Sequence, residues 1–248
     1  MLLDWKSLYN LEIQTNEPIG CKERFIVLSK LSKQLFESLN SLNILDGGGS
    51  SVTSRILKII FPDSYIISVN INGNENNVAD VSIVADIANF EKILKASGVS
   101  GFDVIFLGEV FEHLFQPYPT IKNLITLLNP GGYLIITTPN LANIYNRILL
   151  MFGKSLYNYR PLGILPGDDH ITLVTQKQMI NLLHNHLHLE LCQVQGYSYY
   201  ERKIGIVPES PYARSGIKLR FIRGIINKVV PLSFKEGLLY IARKISTE

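Results

Sequence analysis

Cysteine is scarce in this sequence. Its 248 residues contain two, Cys21 and Cys192. They lie far apart and in no metal-ligand spacing, which excludes a disulfide scaffold and a thiolate metal motif and implies free thiols in a reducing compartment. Long apolar runs are also missing. No stretch approaches the roughly 20 residues of a transmembrane helix. The opening MLLDWKSLYNLE carries acids and lacks the apolar core of a secretory signal. Charge is sparse: 18% of residues are charged and the net charge is +3, too small a bias to argue for nucleic acid. These absences point to a cytoplasmic protein that meets a membrane, if at all, from the inner face and at its periphery.

Apolar side chains are plentiful. At 46% hydrophobic, the chain can bury a full core as one large domain, or as one domain with an appendage. Residues 22–42 carry Phe25, Leu28, Leu31, Leu35 and Leu39 at a helical period. Ile44 and Leu45 then form a short strand, and a second helical pattern runs through Val52, Ile56, Leu57 and Ile60. Further strands are predicted at 65–69 (YIISV), 81–84 (VSIV), 102–107 (FDVIFL) and 133–138 (YLIITT), with helices over 90–96 and 118–128 between them. A helix over 176–186 follows, and two late strands at about 189–194 and 197–206. Solid aliphatic strands alternating with helices predict an α/β fold with a parallel sheet covered on both faces.

Residues 44–52 read ILDGGGSSV. Glycines directly after a buried strand let a ligand touch main chain, because no Cβ intervenes, and the amides of the next helix then face an anionic group. A tight strand-to-helix turn with no ligand fits the same residues. A dinucleotide would want a third loop glycine where Val52 stands.

The segments ILDGGGSSVTSRIL (44–57), YIISVNIN (65–72), VSIVADIANF (81–90), FDVIFLGEVFEHLFQ (102–116) and LLNPGGYLIITTPN (127–140) follow one another at fixed distances. Together they resemble the class I S-adenosylmethionine-dependent methyltransferases, in the small-molecule branch that includes ubiquinone-biosynthesis and sugar methyltransferases. The resemblance covers about residues 20–200. It implies a Rossmann-like, doubly wound, seven-stranded and mostly parallel sheet with a late antiparallel hairpin, and S-adenosylmethionine as cofactor. By position, Asp46, Gly47, Gly48 and Gly49 match the loop that takes the methionine part. Asp86 and Ile87 match the pair that reads the adenine. Leu107, Gly108 and Glu109 match the strand end near the sulfonium. The family's ribose-binding acid is Asn70 here, and its later loop glycines are Ser50 and Val52. These departures leave a second reading open, a catalytically silent binding or assembly module.

Two histidines are candidates for chemistry. His113 follows the fourth strand, near the implied sulfonium, and its bland alternative is a packing or capping role. His170 follows Asp168 and Asp169 and is a candidate base for a hydroxyl acceptor. No third hard ligand stands near it in sequence, so no metal is expected. The tract His184, His186 and His188 suits a helix C-terminus better than a metal, because its spacing scatters the side chains around the axis.

Residues 140–169 are read as a lid or binding insertion, with Tyr145, Arg147, Tyr157, Tyr159 and Arg160 as acceptor-shaping candidates. The chain is thus expected to divide into a methyltransferase domain over 1–208, opening with a helical segment, and a basic amphipathic helical tail over 209–248. Such a tail can lie on an anionic membrane surface through residues 212–248 or pack on its own domain or a second subunit. The expected activity is methyl transfer, by resemblance to oxygen, onto a small-molecule or sugar- or lipid-linked acceptor. A homodimer is left open, and nucleic acid is not an expected partner.

Overall fold

The structure is a computed structural model and describes residues 2–16, 19–36, 41–73, 76–156, 170–199 and 229–245. Two helices lead in, α1 (Trp5–Thr15) and α2 (Lys22–Leu35). The repeating part follows: β1 (Asn43–Gly47), α3 (Ser51–Ile60), β2 (Tyr65–Asn70), β3 (Val81–Val84), α4 (Phe90–Ser97), β4 (Phe102–Gly108), α5 (Pro117–Thr126) and β5 (Leu128–Pro139). Then come α6 (Ile144–Met151) and α7 (Gln176–Ile180), which continues into a π-helical turn over Asn181–His186. Strands β6 (Leu189–Tyr197) and β7 (Gly237–Lys244) complete the sheet.

The seven strands lie in the order β3-β2-β1-β4-β5-β7-β6. The first five are parallel, and β7 runs antiparallel to both of its neighbours. Successive strand residues point to opposite faces, and both faces are dry. Leu45, Ile67 and Ile105 join Ile93, Ile121, Leu124 and Met179 from α4, α5 and α7 on one face. Ile44, Ile66, Val104 and Phe106 join Leu8, Phe25, Leu28, Val52 and Ile56 from α1, α2 and α3 on the other. The aliphatic strands of the sequence read as they do because helices cover them twice.

The start of α1 is capped by Asp4, whose side chain accepts from the Ser7 amide at 2.7 Å. One placement differs from the sequence reading, at the C-terminal end. Residues 237–244, expected in a basic amphipathic helical tail, are an interior strand. The run Leu238 to Ala242 is at most 1% exposed, so it has no face to offer a membrane. Its basic residues lie at the strand end: Arg243 Nε donates to the Gly131 carbonyl, and Lys244 Nζ donates to the carbonyls of Ile125 and Leu128. The antiparallel partner of β6 is therefore β7. The second late strand expected from residue 197 instead supplies the last residue of β6, and its residues from 200 on lie outside those described, as does the tail over 209–228. Among the described residues no helix is long and apolar enough to cross a membrane.

Strand order reverses between β1 and β4. Beyond the carboxyl ends of these two strands lies the crevice where open α/β sheets take ligands.

Candidate active site

The glycine run closes β1 and opens α3. Each glycine is required by a different neighbour. A methyl group on Gly47 would stand 2.5 Å from Leu107 Cδ2 and 3.0 Å from Ile87 Cδ1. Gly48 has φ +72°, and a methyl there would meet Val110 Cγ2 at 2.5 Å. One on Gly49 would stand 2.5 Å from both Asp46 Oδ2 and Ser68 Oγ. The run ends at Ser50 because the helix begins there: the Ser50 side chain accepts from the Thr53 amide at 3.2 Å. Ser50 is exposed, and Val52 is buried in the α2-side core. The side chains that replace family glycines therefore cap and pack. The amides of Gly48 and Gly49 both donate to the Val69 carbonyl, and of the three glycines Gly48 alone is exposed.

Asp46 is fully buried behind the loop. Ser54 Oγ donates to its Oδ2 at 2.9 Å, and Asn76 Nδ2 donates in turn to Ser54 Oγ. Its Oδ1 has no hydrogen-bond partner, and neither does the nearby Ser68 Oγ. Burial pushes the Asp46 carboxyl up to about 7, against the pull of Ser54 and of the Arg24 charge.

Asn70, at the end of β2, is drawn into the loop. Its Nδ2 donates to the Gly49 carbonyl and its Oδ1 accepts from the Asn72 amide. Asp86 is exposed beyond β3 and its Oδ1 accepts from the Ala88 amide. Ile87 is buried. Ile87 and Leu107 come together over Gly47, so the structure gathers at one loop residues separated by sixty positions of sequence.

Glu109 lies at the end of β4 with a left-handed backbone, φ 58°, a conformation that costs a non-glycine residue on the order of 1–2 kcal/mol. Its surroundings hold it there. The Glu109 amide donates to the Thr137 carbonyl at 3.0 Å. Its carboxylate accepts from Tyr197 OH and, at 2.6 Å, from Tyr199 OH. Arg24 Nη1 stands 3.6 Å away. Burial works against the Arg24 charge, but Glu109 and the groups around it outweigh that and raise its pKa above the ordinary value. Burial, reinforced by the Glu109 charge, pushes both tyrosine hydroxyls well up, so they act as donors. Arg24, Tyr197 and Tyr199 are absent from the sequence reading. A lone arginine on an apolar helix carries no signal of a partner 85 positions away.

The turn after β4, Phe111–His113, brings the acids and histidines together. Glu112 is fully buried. Its backbone carbonyl accepts from the amides of Ile171 and Thr172, each at 2.9 Å. Those two bonds stitch the segment beginning at His170 against the turn. The imidazoles of His113 and His170 then meet edge to face, with ring centroids 4.9 Å apart. Thr138 Oγ1 donates to Glu112 Oε2 at 3.2 Å, while Oε1 has no hydrogen-bond partner. Burial, with the Glu109 charge next, pushes the Glu112 carboxyl well above the usual range.

Other candidates fall elsewhere. Arg147 lies over the Phe234 ring at 4.2 Å and donates to the Ala142 carbonyl, both ordinary packing roles. The histidines of the HNHLH tract are exposed. His184 contacts the Leu189 carbonyl, and His186 contacts Asn181. Tyr157, Tyr159, Arg160, Asp168 and Asp169 lie outside the described residues. Cys21 and Cys192 form no disulfide.

A doubly wound sheet with a bare glycine loop at its switch point, ringed by acids, defines a cofactor-holding α/β protein. The chain belongs to the methyltransferase-domain family, which it matches over residues 22–186. No curated protein matches the sequence. Among solved structures, the N-methyltransferase NodS from Bradyrhizobium japonicum WM9 is similar over 91% of this chain and 96% of its own, at 16% identity and a TM-score of 0.51. A SAM-dependent methyltransferase from Archaeoglobus fulgidus is similar over 97% and 100%, at 15% identity and 0.53. The 1,6-didemethyltoxoflavin-N1-methyltransferase of Burkholderia thailandensis, solved with 1,6-didemethyltoxoflavin and S-adenosylhomocysteine bound, is similar over 90% and 78%, at 12% identity and 0.51. These likenesses establish the fold. The class that the motifs resemble is the class to which this chain belongs, an S-adenosylmethionine-dependent methyltransferase of class I.

Proposed function

We propose that the cleft beyond β1 and β4 binds S-adenosylmethionine and transfers its methyl group to an oxygen of a small-molecule acceptor, free or linked to a sugar or lipid. The observation that carries this reading is the exposed main chain of Gly48 at the switch point, beside a buried carboxyl oxygen of Asp46 without a partner. Without a Cβ at Gly48 a ligand can approach that main chain directly. Asp86 is exposed at the rim to accept from an adenine amine, with Ile87 beneath as an apolar floor. Asn70 has one hydrogen-bonding lone pair left on Oδ1 for a ribose hydroxyl. Leu107, Gly108 and Glu109 line the end nearest the transferred group, and Glu109 is held rigid by Tyr199, Tyr197 and Arg24.

The bound cofactor supplies an already activated methyl on a sulfonium. The chain's work is alignment and exclusion of water, worth about 7–11 kcal/mol in well-oriented systems. His170 and His113 stand together on the acceptor side and are assigned to the acceptor's nucleophilic atom. Calorimetric titration with S-adenosylhomocysteine tests the cofactor reading, with one molecule bound per chain as the expected result. No heat and no thermal shift at millimolar ligand would overturn it.

One observation favours a second reading, a silent binding module. Both polar ends of Asn70 are engaged by main chain, by the Gly49 carbonyl of the loop and the Asn72 amide of the turn after β2, where a carboxylate would offer charge-assisted bonds. The same titration separates the two, since the silent module binds no S-adenosylhomocysteine.

A further inference from the structure

We propose that Glu112, His113 and His170 form a site for one divalent first-row transition ion on the acceptor side of the cleft. The ion's existence is independent of the cofactor reading, and only its use in methyl transfer rests on that reading.

Each of the three residues offers one ligand atom, and these atoms lie within 4.8 Å of one another. Two imidazoles and one carboxylate suit borderline ions such as manganese, cobalt or zinc. Magnesium and calcium prefer all-oxygen sets. Tetrahedral bonds of about 2.0–2.2 Å put ligand atoms about 3.3–3.6 Å apart. Atoms at the 4.8 Å limit must therefore close by about an ångström or slightly more, which rotation of the exposed His113 side chain can supply.

Two features mark this as a built arrangement. First, Glu112 is 0% exposed, yet one of its carboxylate oxygens has no hydrogen-bond partner. A buried carboxylate oxygen left this way is costly, and a cation beside it removes the cost. Second, the spacing is set by main chain. The amides of Ile171 and Thr172 both bond to the Glu112 carbonyl, and Thr172 Oγ1 bonds to the Leu114 carbonyl at 2.9 Å. His170 therefore holds its position beside the turn whether or not an ion is present. The ligands come from two segments of the chain that sequence spacing does not join.

Three protein ligands leave coordination positions open. The acceptor class that fits is a molecule with a hydroxyl next to a second oxygen, able to occupy two of them. The hydroxyl proton passes to solvent as its oxygen is drawn to the cation. That oxygen's lone pair forms the new C–O bond to the methyl, and the C–S pair returns to sulfur. The products are a methyl ether, S-adenosylhomocysteine and one proton.

The test uses the untagged, full-length, metal-stripped protein and cobalt(II) alone, followed by visible absorption. One cobalt per chain is expected, with affinity weakened at least tenfold in His113→Ala, His170→Ala and Glu112→Gln. Far-UV circular dichroism of the variants should match wild type. Should Glu112→Gln fail to fold, His113→Ala, on an exposed side chain, still decides the matter. No cobalt spectrum up to millimolar metal overturns the proposal, as does binding that is unchanged in His113→Ala or that is lost instead in His184→Ala. A parallel titration with S-adenosylhomocysteine in the absence of metal reports on the cofactor site alone, so failure of either reading is visible without the other.

Discussion

Asp46→Asn should stabilise the ligand-free protein, and the gain should grow with pH. Asp46 is fully buried, and its carboxyl is raised from 3.8 to about 7, chiefly by burial. The native carboxyl keeps its proton until about pH 7, whereas the unfolded chain releases it near pH 4. Between those values the native state binds the extra proton, so stability falls as pH rises through the window and levels off above it. At about 1.4 kcal/mol per tenfold change in proton affinity, the full loss is on the order of 4 kcal/mol. Asparagine keeps an oxygen to accept from Ser54 and carries no charge to bury. With a urea dependence near 3 kcal/mol per molar, the variant's midpoint should exceed wild type's by about 1–1.5 M at pH 8 and by about 0.5 M at pH 5, and match it only near pH 3, below the unfolded carboxyl's value. Urea titrations of both proteins at half-unit pH steps measure this. The difference between the two curves cancels every other titrating group. If the two midpoints ran parallel across the whole range, Asp46 would not be the buried acid that its surroundings make it. The outcome also bears on function, because a well-folded Asp46→Asn lets any loss of S-adenosylhomocysteine binding be read as a site effect.

Gly49→Ala should cost about 1–3 kcal/mol by overpacking and weaken S-adenosylhomocysteine binding, since its methyl would meet Asp46 and Ser68 at 2.5 Å; thermal melts with and without ligand give both numbers. Tyr199→Phe removes a 2.6 Å bond to a carboxylate and should cost about 1.5–3 kcal/mol; combined with Glu109→Gln, the two losses should fail to add, whereas simple additivity in urea melts would break the proposed clamp. Ile241→Ala in β7, at 0% exposed, should cost about 2–5 kcal/mol, and a chain ending at residue 236 should lose cooperative unfolding; a truncated protein that melts like wild type would remove β7 from the core. His170→Ala should lower methyl transfer at least tenfold while leaving S-adenosylhomocysteine affinity within about twofold; turnover within a factor of about three of wild type would remove His170 from the chemistry.

Much of the architecture was legible in the chain itself. Aliphatic runs at 65–69 and 102–107 became β2 and β4 because a strand buried on both faces has no polar register to hide, while the run at 81–84 became the edge strand β3, with Ser82 and Val84 exposed. ILDGGG marked the loop because a tight strand-to-helix turn demands residues without Cβ, and the protein's own side chains fill the three Cβ positions. The C-terminal strand is not legible in the sequence, for an equally physical reason. LLYIA flanked by arginine and lysine suits an amphipathic helix and a fully buried strand alike, and periodicity over five residues cannot separate them.

Sequence by itself determined the local pieces and their order, because helix and strand periods, caps and glycine loops depend on residues within a few positions of one another. Tertiary structure alone decided that β7 lies between β5 and β6, that Arg24, Tyr197 and Tyr199 converge on Glu109, and that His170 stands against His113 and Glu112. Those contacts join residues from 40 positions apart, as in the Tyr197–Gly237 pair, to 110 positions apart, as in the Tyr133–Arg243 pair. Such distances are closed by burial of the whole sheet, a sum over many side chains that no short stretch of residues encodes.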